Sequence, residues 1–160
     1  MYFWECSSLG KEKTQIPIRI VEFELRHLEK IYEIENSSFP EPFSDRYLEE
    51  LGKLYSETFL IAESNYHAIG YIVAKIDCSR AHILSIAVEN NWKRKRIGFT
   101  LLQMLIIRLK SKRVNEIILE VEKNNIPAKI LYERSGFKVV KKIKNYYLNG
   151  EDALVYNLKI

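Results

Sequence analysis

Residues 82–121 carry the pattern that most restricts the possible folds: two apolar segments separated by a basic turn and a helical period. The segment HILSIAV at 82–88 is too apolar to leave one face in water, and EIILEV at 116–121 predicts a second buried strand. Between them, five apolar residues recur at the spacing of one helix face: Leu101, Leu102, Leu105, Ile106 and Leu109. The pattern predicts two parallel strands joined by a right-handed helical crossover.

The segments on either side of this unit predict further strands and helices. Strands are expected at 16–23, 59–63, 69–76, 137–140, 146–148 and 153–158, with turns at Ser64-Asn65 and Asn149-Gly150. Helices are expected from Leu25 to the region 36–38, from the N-cap Ser44 onward, and at 127–134, where Gly136 is placed to end the helix. Antiparallel hairpins beside a parallel pair make the sheet mixed, so the fold class is α/β.

Length and composition predict one domain that needs neither a disulfide bond nor a metal site to fold. A chain of 160 residues with 47% hydrophobic content can bury a core of its own. We divide it into an N-terminal extension at 1–15, expected to be frayed, and a domain at 16–160. Cys6 and Cys78 lie far apart without a C-x-x-C pair, which disfavours a metal site or a disulfide framework. Neither a membrane span nor a secretory signal is recognisable, so we expect a cytoplasmic protein without a membrane partner.

The turn that precedes the central helix is strongly basic, Lys93-Arg94-Lys95-Arg96, and Gly98 follows it. A helix N-terminus offers free backbone N–H groups and the positive end of the helix dipole, which together suit a pyrophosphate. The turn has neither the G-x-x-x-x-G-K-[ST] pattern of a Walker A loop nor the glycines of a dinucleotide-binding fingerprint. The alternative is a solvated basic loop, which is what an isolated run of charges usually forms.

This turn resembles the [QR]-x-x-G-x-[GA] signature of the GNAT acetyltransferases, whose backbone amides hold the pyrophosphate of CoA. Gly98 matches the last position and Lys93 is a fair replacement for the first, but Arg96 stands where the family has glycine. Arg96 must either adopt an acceptable φ and reach a phosphate itself, or weaken the affinity for CoA, because glycine lets backbone approach phosphate closely. The resemblance implies acetyl-CoA as co-substrate, held by Lys93, Arg94, Lys95, Arg96, Ile97, Gly98 and Phe99.

A second segment, LEVEKNNIPAKILYERSGF at 119–137, resembles the acceptor half of RimI-like N-terminal acetyltransferases. Nine residues fall in register with L-E-V-x-x-x-N-x-x-A-x-x-L-Y-x-x-x-G-F: Leu119, Glu120, Val121, Asn125, Ala128, Leu131, Tyr132, Gly136 and Phe137. FPEPFS at 39–44 resembles the substrate loop of this branch, and YYLNGEDALVYNL at 146–158 resembles its closing hairpin. The resemblance covers nearly everything from residue 18 onward and implies a GNAT fold, with six to seven strands in a mixed sheet and about four helices.

In this family the strands equivalent to 82–88 and 116–121 splay apart, and the first of them carries a bulge. The pantetheine arm of CoA would lie in the gap and hydrogen-bond the backbone at Ile86, Ala87 and Val88. An N–H left free there would polarise the thioester carbonyl. Asn125 is expected to bind the same arm, and the alternative role of a helix N-cap is compatible with it.

The resemblance implies three residues in the chemistry of acetyl transfer. Glu120 would act as general base, because burial of a carboxylate in an apolar strand raises its pKa toward the useful range. Tyr132 would protonate the CoA sulfur, and His82 would assist the base through an ordered water, as in archaeal members with a His-plus-Glu arrangement. Each residue also has a structural alternative. Glu120 could bind a neighbouring hydrogen-bond donor, Tyr132 could be a core aromatic, and His82 could be a structural histidine.

The acceptor would enter from the opposite side of the gap, walled by Phe39, Pro40, Glu41, Tyr146 and Tyr147. The alternative is that Phe39 and Tyr146 only pack the loops onto the core. The resemblance thus implies acetyl transfer to the N-terminal α-amino group of a protein, such as a ribosomal protein. The reaction would take place in a direct ternary complex without an acyl-enzyme and without a metal.

Two other functions stay open at this point. One is a lysine or small-amine acetyltransferase, although the FPEPFS loop and the double tyrosine resemble peptide-binding elements and disfavour a small amine. The other is a non-catalytic module that binds CoA or a ribosome surface through the basic run. Only Trp92 and Phe99 interleave that run, so we expect no direct role in nucleic-acid binding.

Overall fold

The computed structural model describes residues 17–160, which form a seven-stranded sheet with helices on both faces. The strands are β1 (Ile18–Glu22), β2 (Phe59–Ser64), β3 (His67–Asp77), β4 (Arg80–Val88), β5 (Glu116–Glu122), β6 (Lys138–Ile143) and β7 (Ala153–Lys159). The α-helices in this part of the chain are α1 (Leu28–Ser38), α2 (Asp45–Leu54), α3 (Ile97–Ser111) and α4 (Ile126–Arg134). The predicted mixed α/β fold is confirmed, and the predicted extension at 1–15 lies outside the described residues.

The sheet has the strand order β1-β2-β3-β4-β5-β7-β6. The pair β4–β5 is parallel, and every other neighbouring pair is antiparallel. Helix α3 connects β4 to β5, as the strand–helix–strand pattern predicts. The last strand in the chain, β7, inserts between β5 and β6, so β6 forms an edge of the sheet.

Two separate hydrophobic cores lie on the two faces of the sheet. On one face α3 packs with its predicted stripe, and Leu101, Leu102 and Leu105 are fully buried. On the other face α1 and α2 form the second core with β2, β3 and β4. Helix α2 packs closely here because Gly52 lies against Phe23, whose ring would come within 2.2 Å of a Cβ at that position. The central strands therefore bury both faces, which explains their nearly continuous apolar sequence.

A buried carboxylate on β2 holds the N-terminal end of α1 in place. Glu63 on β2 is fully buried, and its Oε1 lies 2.8 Å from His27 Nε2 and 2.6 Å from Arg26 Nη1. Its other oxygen accepts a hydrogen bond from Arg19 at 3.1 Å. Burial raises the pKa of Glu63, but the hydrogen bonds from His27 and Arg26 outweigh it, so the pKa falls below its usual value. Glu63 is therefore held as an ion in contact with cations.

Some predicted boundaries are wrong for local reasons. Residues 146–148 form no strand, because the N–H groups of Tyr146 and Tyr147 both donate to the Glu151 carbonyl, at 3.0 and 3.2 Å. The first hairpin turns at Asn65-Tyr66 rather than Ser64-Asn65, with φ of 50° and 65° at the two turn residues. The start predicted for the first helix is a 3₁₀ turn, Leu25–His27, that leads into α1. The other predicted strands and helices are present, with ends that differ by a few residues.

No helix within residues 17–160 is long and apolar enough to cross a membrane. The same residues contain no group of three or more His, Cys, Asp or Glu side chains arranged to hold a metal ion. Cys78 is an exposed free thiol, and Cys6 lies outside the described residues.

Candidate active site

The parallel strands β4 and β5 pair only at their beginnings. Their register runs from Arg80–Glu116 to His82–Ile118 and stops there. The rest of β4 stays paired with β3, while the rest of β5 stays paired with β7. A gap therefore opens between β4 and β5 beyond His82 and Ile118, as the resemblance implies.

A bulge in β4 lies at the start of this gap. Val73 of β3 faces Ser85, whereas the next residue of β3 faces Ile83, so Leu84 is the extra residue in β4. Leu84 packs into the α1 core, while Ile86 packs against the α3 core. Beyond the bulge, β4 has no strand partner on its gap side. Its backbone there is free to bind an extended ligand in the manner of an added strand.

A cavity of about 1070 Å³ lies beside the open part of β4, and residues at the start of α3, on α4 and at the end of α1 line it. Eleven of the twelve predicted cofactor-binding residues line it: Ile86, Ala87, Val88, Lys93, Arg94, Arg96, Ile97, Gly98, Phe99, Asn125 and Tyr132. The exception is Lys95, whose ammonium lies 4.5 Å from the centre of the Trp92 ring. Trp92 and Arg134 also line the cavity, and sequence reasoning missed both.

The charged side chains that line the cavity are all positive. Four cationic side chains line the cavity, Lys93, Arg94, Arg96 and Arg134, and no carboxylate of the described residues does. Together with the free N–H groups at the start of α3, these cations make the cavity suitable for a polyanion. The solvated-loop alternative is thus less consistent with the structure, because the basic residues face a concave surface.

The basic turn enters α3 through a left-handed residue. Arg96 has φ 62° and ψ 8°, a conformation that glycine adopts freely and that costs free energy in arginine. The Arg96 carbonyl accepts the Thr100 N–H at 2.9 Å, so the helix begins normally despite the substitution. Of the two outcomes expected for Arg96, the backbone follows the first: arginine takes the glycine-like φ.

Gly98 is not required by the packing of the protein itself. A Cβ at this position would lie 3.7 Å from Leu131 and 3.8 Å from Val88, which are ordinary contact distances. Both neighbours line the cavity, so a side chain at Gly98 would occupy cavity space. A glycine here therefore fits a ligand that comes close to the backbone of α3.

His82 and Glu120 meet where β4 and β5 begin to part. His82 Nε2 lies 2.6 Å from Glu120 Oε2, and Glu120 is two residues beyond the last paired residue of β5. Their side chains are 27% and 20% exposed, so Glu120 is half-buried rather than enclosed as its apolar strand predicts. The reason is strand alternation: Leu119 and Val121 point into the α3 core, and Glu120 points to the opposite face.

Tyr132 lies on α4, on the other side of the gap. Its ring packs against Phe137 and Tyr156 with centroid distances of 5.7 and 5.9 Å, and the residue is 4% exposed. Tyr132 lines the cavity. Within residues 17–160, no buried side-chain nitrogen or oxygen lacks a hydrogen-bond partner. Burial, with a smaller contribution from Tyr147, raises the pKa of Tyr132 well above its usual value. Tyr132 is thus a core aromatic that also lines the cavity, and its raised pKa keeps the hydroxyl protonated at neutral pH.

The loop between β6 and β7 brings Tyr147 into electrostatic contact with both Tyr132 and Glu120. Burial raises the pKa of Tyr147 to about 12, and the charges of Tyr146 and Glu120 add to this shift. The Tyr146 and Tyr147 rings meet edge to face, with centroids 5.1 Å apart. Tyr147 is therefore near enough to both Tyr132 and Glu120 to interact with them electrostatically.

The α1–α2 loop, residues 39–44, forms another part of the rim. Phe39 lines the cavity, whereas Pro40 and Glu41 are exposed and do not line it. Among the predicted acceptor-side residues, the structure thus brings Phe39 to the cavity and the two tyrosines to Glu120. Pro40 and Glu41 stay on the outer surface of the loop.

Asn125 serves as the N-cap of α4. Its side-chain oxygen accepts the Ala128 N–H at 3.2 Å, which is the structural alternative considered for this residue. Asn125 also lines the cavity, so the capping bond leaves its side-chain amide nitrogen free for a ligand.

Sequence reasoning missed a buried polar cluster beneath the α1–α2 loop. Glu35 of α1 is 2% exposed, and one of its oxygens accepts the Phe43 N–H at 3.0 Å. The other oxygen accepts hydrogen bonds from the Tyr71 hydroxyl and, at 3.3 Å, from Ser85 Oγ. The available signal was a glutamate on the apolar face of α1, four residues after the buried Ile31.

Comparisons with known proteins agree with this geometry. Residues 28–137 match the acetyltransferase (GNAT) family. An N-alpha-acetyltransferase of Sulfurisphaera tokodaii is 33% identical over 148 residues, which cover 84% of this chain and 89% of that protein. A putative ribosomal protein bS18-alanine N-acetyltransferase of Bacillus subtilis is 34% identical over 145 residues, which cover 89% and 95%. A chain of the NatC complex, solved with Gag peptide and CoA, superposes with a TM-score of 0.83 at 28% identity, over 89% of this chain and 98% of that chain.

Proposed function

This chain belongs to the GNAT family of acetyltransferases, and we propose that it transfers acetyl from acetyl-CoA to the N-terminal α-amino group of a protein. The observation that carries the proposal is the gap between β4 and β5. It has the Glu120–His82 pair on one side and a cavity with four cations on the other. An amine acceptor and a polyanionic donor would therefore meet in the gap from opposite faces of the sheet.

The donor would occupy the cavity. Its pyrophosphate would lie on the N–H groups at the start of α3, with Lys93, Arg94 and Arg96 as counter-charges. The Gly98 backbone leaves room for this close approach. The pantetheine arm would run along the open side of β4 at residues 86–88, near the amide nitrogen of Asn125. This arrangement would supply an acetyl thioester to the edge of the gap.

Glu120 is the proposed general base. The acceptor would react as the neutral amine, after losing its extra proton to solvent, and its lone pair would attack the thioester carbonyl carbon. Glu120 would accept the proton that the nitrogen loses as the carbon–sulfur bond breaks. His82, at 2.6 Å, would hold the Glu120 carboxylate in place and share the proton. Tyr132 would donate its hydroxyl proton to the departing thiolate, and its raised pKa keeps that proton in place at neutral pH. The proton taken up by Glu120 would then pass to solvent, from which Tyr132 is reprotonated after it has acted as the acid. No covalent acyl-enzyme is needed, because the two substrates meet directly.

An α-amino group fits this site better than a lysine side chain. The pKa of an α-amine is about 8, against about 10.4 for lysine, so less free energy is needed to form the neutral nucleophile at pH 7. The two curated relatives are named for N-terminal or alanine acetylation, which supports the same choice. The Bacillus subtilis relative is named for a ribosomal protein, so we propose ribosomal proteins as acceptors, modified in the cytoplasm.

Mass spectrometry of peptides incubated with the protein and acetyl-CoA tests the proposal. We expect peptides that start with Ser or Ala to gain about 42 Da at the α-amine, the mass of one acetyl group. A matched peptide with a blocked N-terminus and an internal lysine should stay unmodified. Modification of the lysine alone would favour a lysine acetyltransferase. A protein that shows no heat on titration with acetyl-CoA would instead be a binding module for another partner.

A further inference from the structure

We propose that Glu35 is a positioning residue for the acceptor substrate, because its carboxylate fixes the α1–α2 loop to the strand that borders the gap. This inference rests on the proposed function, since the loop lies where the acceptor would enter. Glu35 touches neither the cavity nor the His82–Glu120 pair. Any effect of Glu35 on the reaction must therefore act through the loop and through β4.

In the described residues, the backbone of the α1–α2 loop hydrogen-bonds the rest of the protein only through Glu35, while Phe39 and Phe43 also pack against the α1 core. The Phe39 N–H donates to the Glu35 main-chain carbonyl at 3.1 Å, and the Phe43 N–H donates to the Glu35 side chain at 3.0 Å. Within the part of the chain that the structure describes, the backbone of residues 39–43 makes no other hydrogen bond. Among the described residues, Glu35 is thus the one side chain outside the loop that hydrogen-bonds the loop backbone.

Glu35 is in turn anchored on the sheet beside the gap. Its second oxygen accepts from the Tyr71 hydroxyl on β3 and from Ser85 Oγ on β4. Ser85 follows the bulge residue Leu84, and Tyr71 faces Ala87 in the β3–β4 register. A single buried carboxyl group therefore links the acceptor loop to the stretch of β4 along which the donor would lie.

The core beneath α1 does not itself need Glu35. The Tyr71 and Ser85 hydroxyls are 2.8 Å apart, so they still satisfy each other when the carboxylate is removed. No Lys, Arg or His side chain of the described residues pairs with Glu35. The group that loses its only partner without Glu35 is the Phe43 N–H of the loop. A role in positioning the loop explains this arrangement better than a role in stability.

The test compares Glu35→Ala with Glu35→Gln and with Glu63→Ala. Glu35→Ala should raise the KM for a Ser-starting peptide about tenfold, the order expected for one lost hydrogen bond to a buried carboxyl group. Its affinity for acetyl-CoA, measured by calorimetry, should change much less than the peptide KM, because Phe39 is the one residue of the loop that lines the cavity. Glu35→Gln should restore most of the peptide KM, since its amide oxygen accepts the Phe43 N–H and its NH₂ donates to the hydroxyls.

Glu63→Ala is the matched control, because it removes an equally buried carboxylate at the other end of α1. It should lower the melting temperature and leave the peptide KM unchanged. Hydrogen exchange at residues 39–44 should accelerate in Glu35→Ala and stay slow in Glu63→Ala. The inference fails if Glu35→Ala lowers only the melting temperature, if Glu63→Ala raises the peptide KM equally, or if Glu35→Gln is as impaired as Glu35→Ala.

The proposed function and this inference fail in different ways. If the wild-type protein acetylates no α-amine, the proposed function is wrong, and so is a role for Glu35 in positioning that acceptor. If the wild-type protein acetylates peptides and Glu35→Ala has a normal peptide KM, only the positioning role is wrong.

Discussion

The proposed acceptor side and the proposed donor side of the gap carry opposite charge. The segment 28–54, which includes α1, its loop and α2, contains seven acidic and three basic residues. The cavity on the other side is lined by four cations and no carboxylate of the described chain. Charge is also distributed unevenly along the sequence. Residues 1–92 contain nine basic and 15 acidic residues, a net charge of −6, and residues 93–160 contain 16 basic and six acidic residues, a net charge of +10.

This difference shows how one sheet can serve two substrates of opposite charge. An α-ammonium group would be attracted to the acidic side, and the phosphates of CoA to the basic side. The pairing of β4 with β5 ends at His82 and Ile118, so the two substrates would meet in the gap beyond these residues. Variants on each side of the gap should therefore affect one substrate or one proton transfer, and not both.

The largest effect is expected from the acceptor side, where Glu120→Gln removes the proposed base. We expect kcat to fall about 10³-fold, within the range for loss of a general base, with little change in acetyl-CoA affinity. Steady-state kinetics and calorimetry measure the two quantities. Glu116→Gln is the matched control, because Glu116 lies on the same strand and face but pairs with Arg80 where the strands are closed. Unchanged turnover in Glu120→Gln would remove Glu120 from the mechanism.

On the donor side, Tyr132→Phe should slow turnover about 10²-fold, because the variant lacks the proposed acid. A solvent-exposed tyrosine would begin to ionise near pH 10, whereas the raised pKa keeps Tyr132 protonated there. The wild-type rate should therefore show no alkaline loss from this residue up to pH 10. Tyr156→Phe is the control, since it removes a neighbouring buried hydroxyl that donates to Glu133 at 2.8 Å. Equal losses in both variants would indicate a packing effect.

A smaller effect is expected from Arg96→Ala, which removes one of the four cavity cations. The KM for acetyl-CoA should rise about tenfold, with kcat and peptide KM nearly unchanged. Added salt should shrink the difference between variant and wild type, because ions screen an exposed charge. Arg113→Ala is the control: Arg113 also has a left-handed φ, 59°, but lies outside the cavity. An equal rise in KM for both variants would show that the bulk charge matters rather than the site.

The features that local sequence determines were predictable. Hydrophobic periodicity predicts the unit β4–α3–β5, and the family resemblance predicts eleven of the residues that line the cavity. These signals are local, because the phosphate turn and α4 each consist of consecutive residues. The same property explains why Gly136 could be placed, since a left-handed φ of 90° just after α4 requires glycine there.

Features that depend on distant partners were not predictable. The Glu35 cluster joins residues 36 and 50 positions apart in the chain, so no local pattern contains it. The half-exposure of Glu120 depends on which face of β5 has a helix over it. The path of residues 146–148 depends on two hydrogen bonds to Glu151, which override a sequence that favours a strand. In each case tertiary contacts decide between local alternatives.

The smallest expected effect concerns stability and separates the backbone of Arg96 from its charge. Arg96→Gly and Arg96→Ala lose the same cation, but only alanine must still adopt φ 62° with a Cβ. The glycine variant should therefore be more stable to unfolding than the alanine variant by about 1 kcal/mol, measured by urea titration. Arg113→Gly and Arg113→Ala should differ by a similar amount, because Arg113 has φ 59°. If Arg96→Gly has no advantage over Arg96→Ala while the Arg113 pair shows one, the left-handed turn at the start of α3 is wrong.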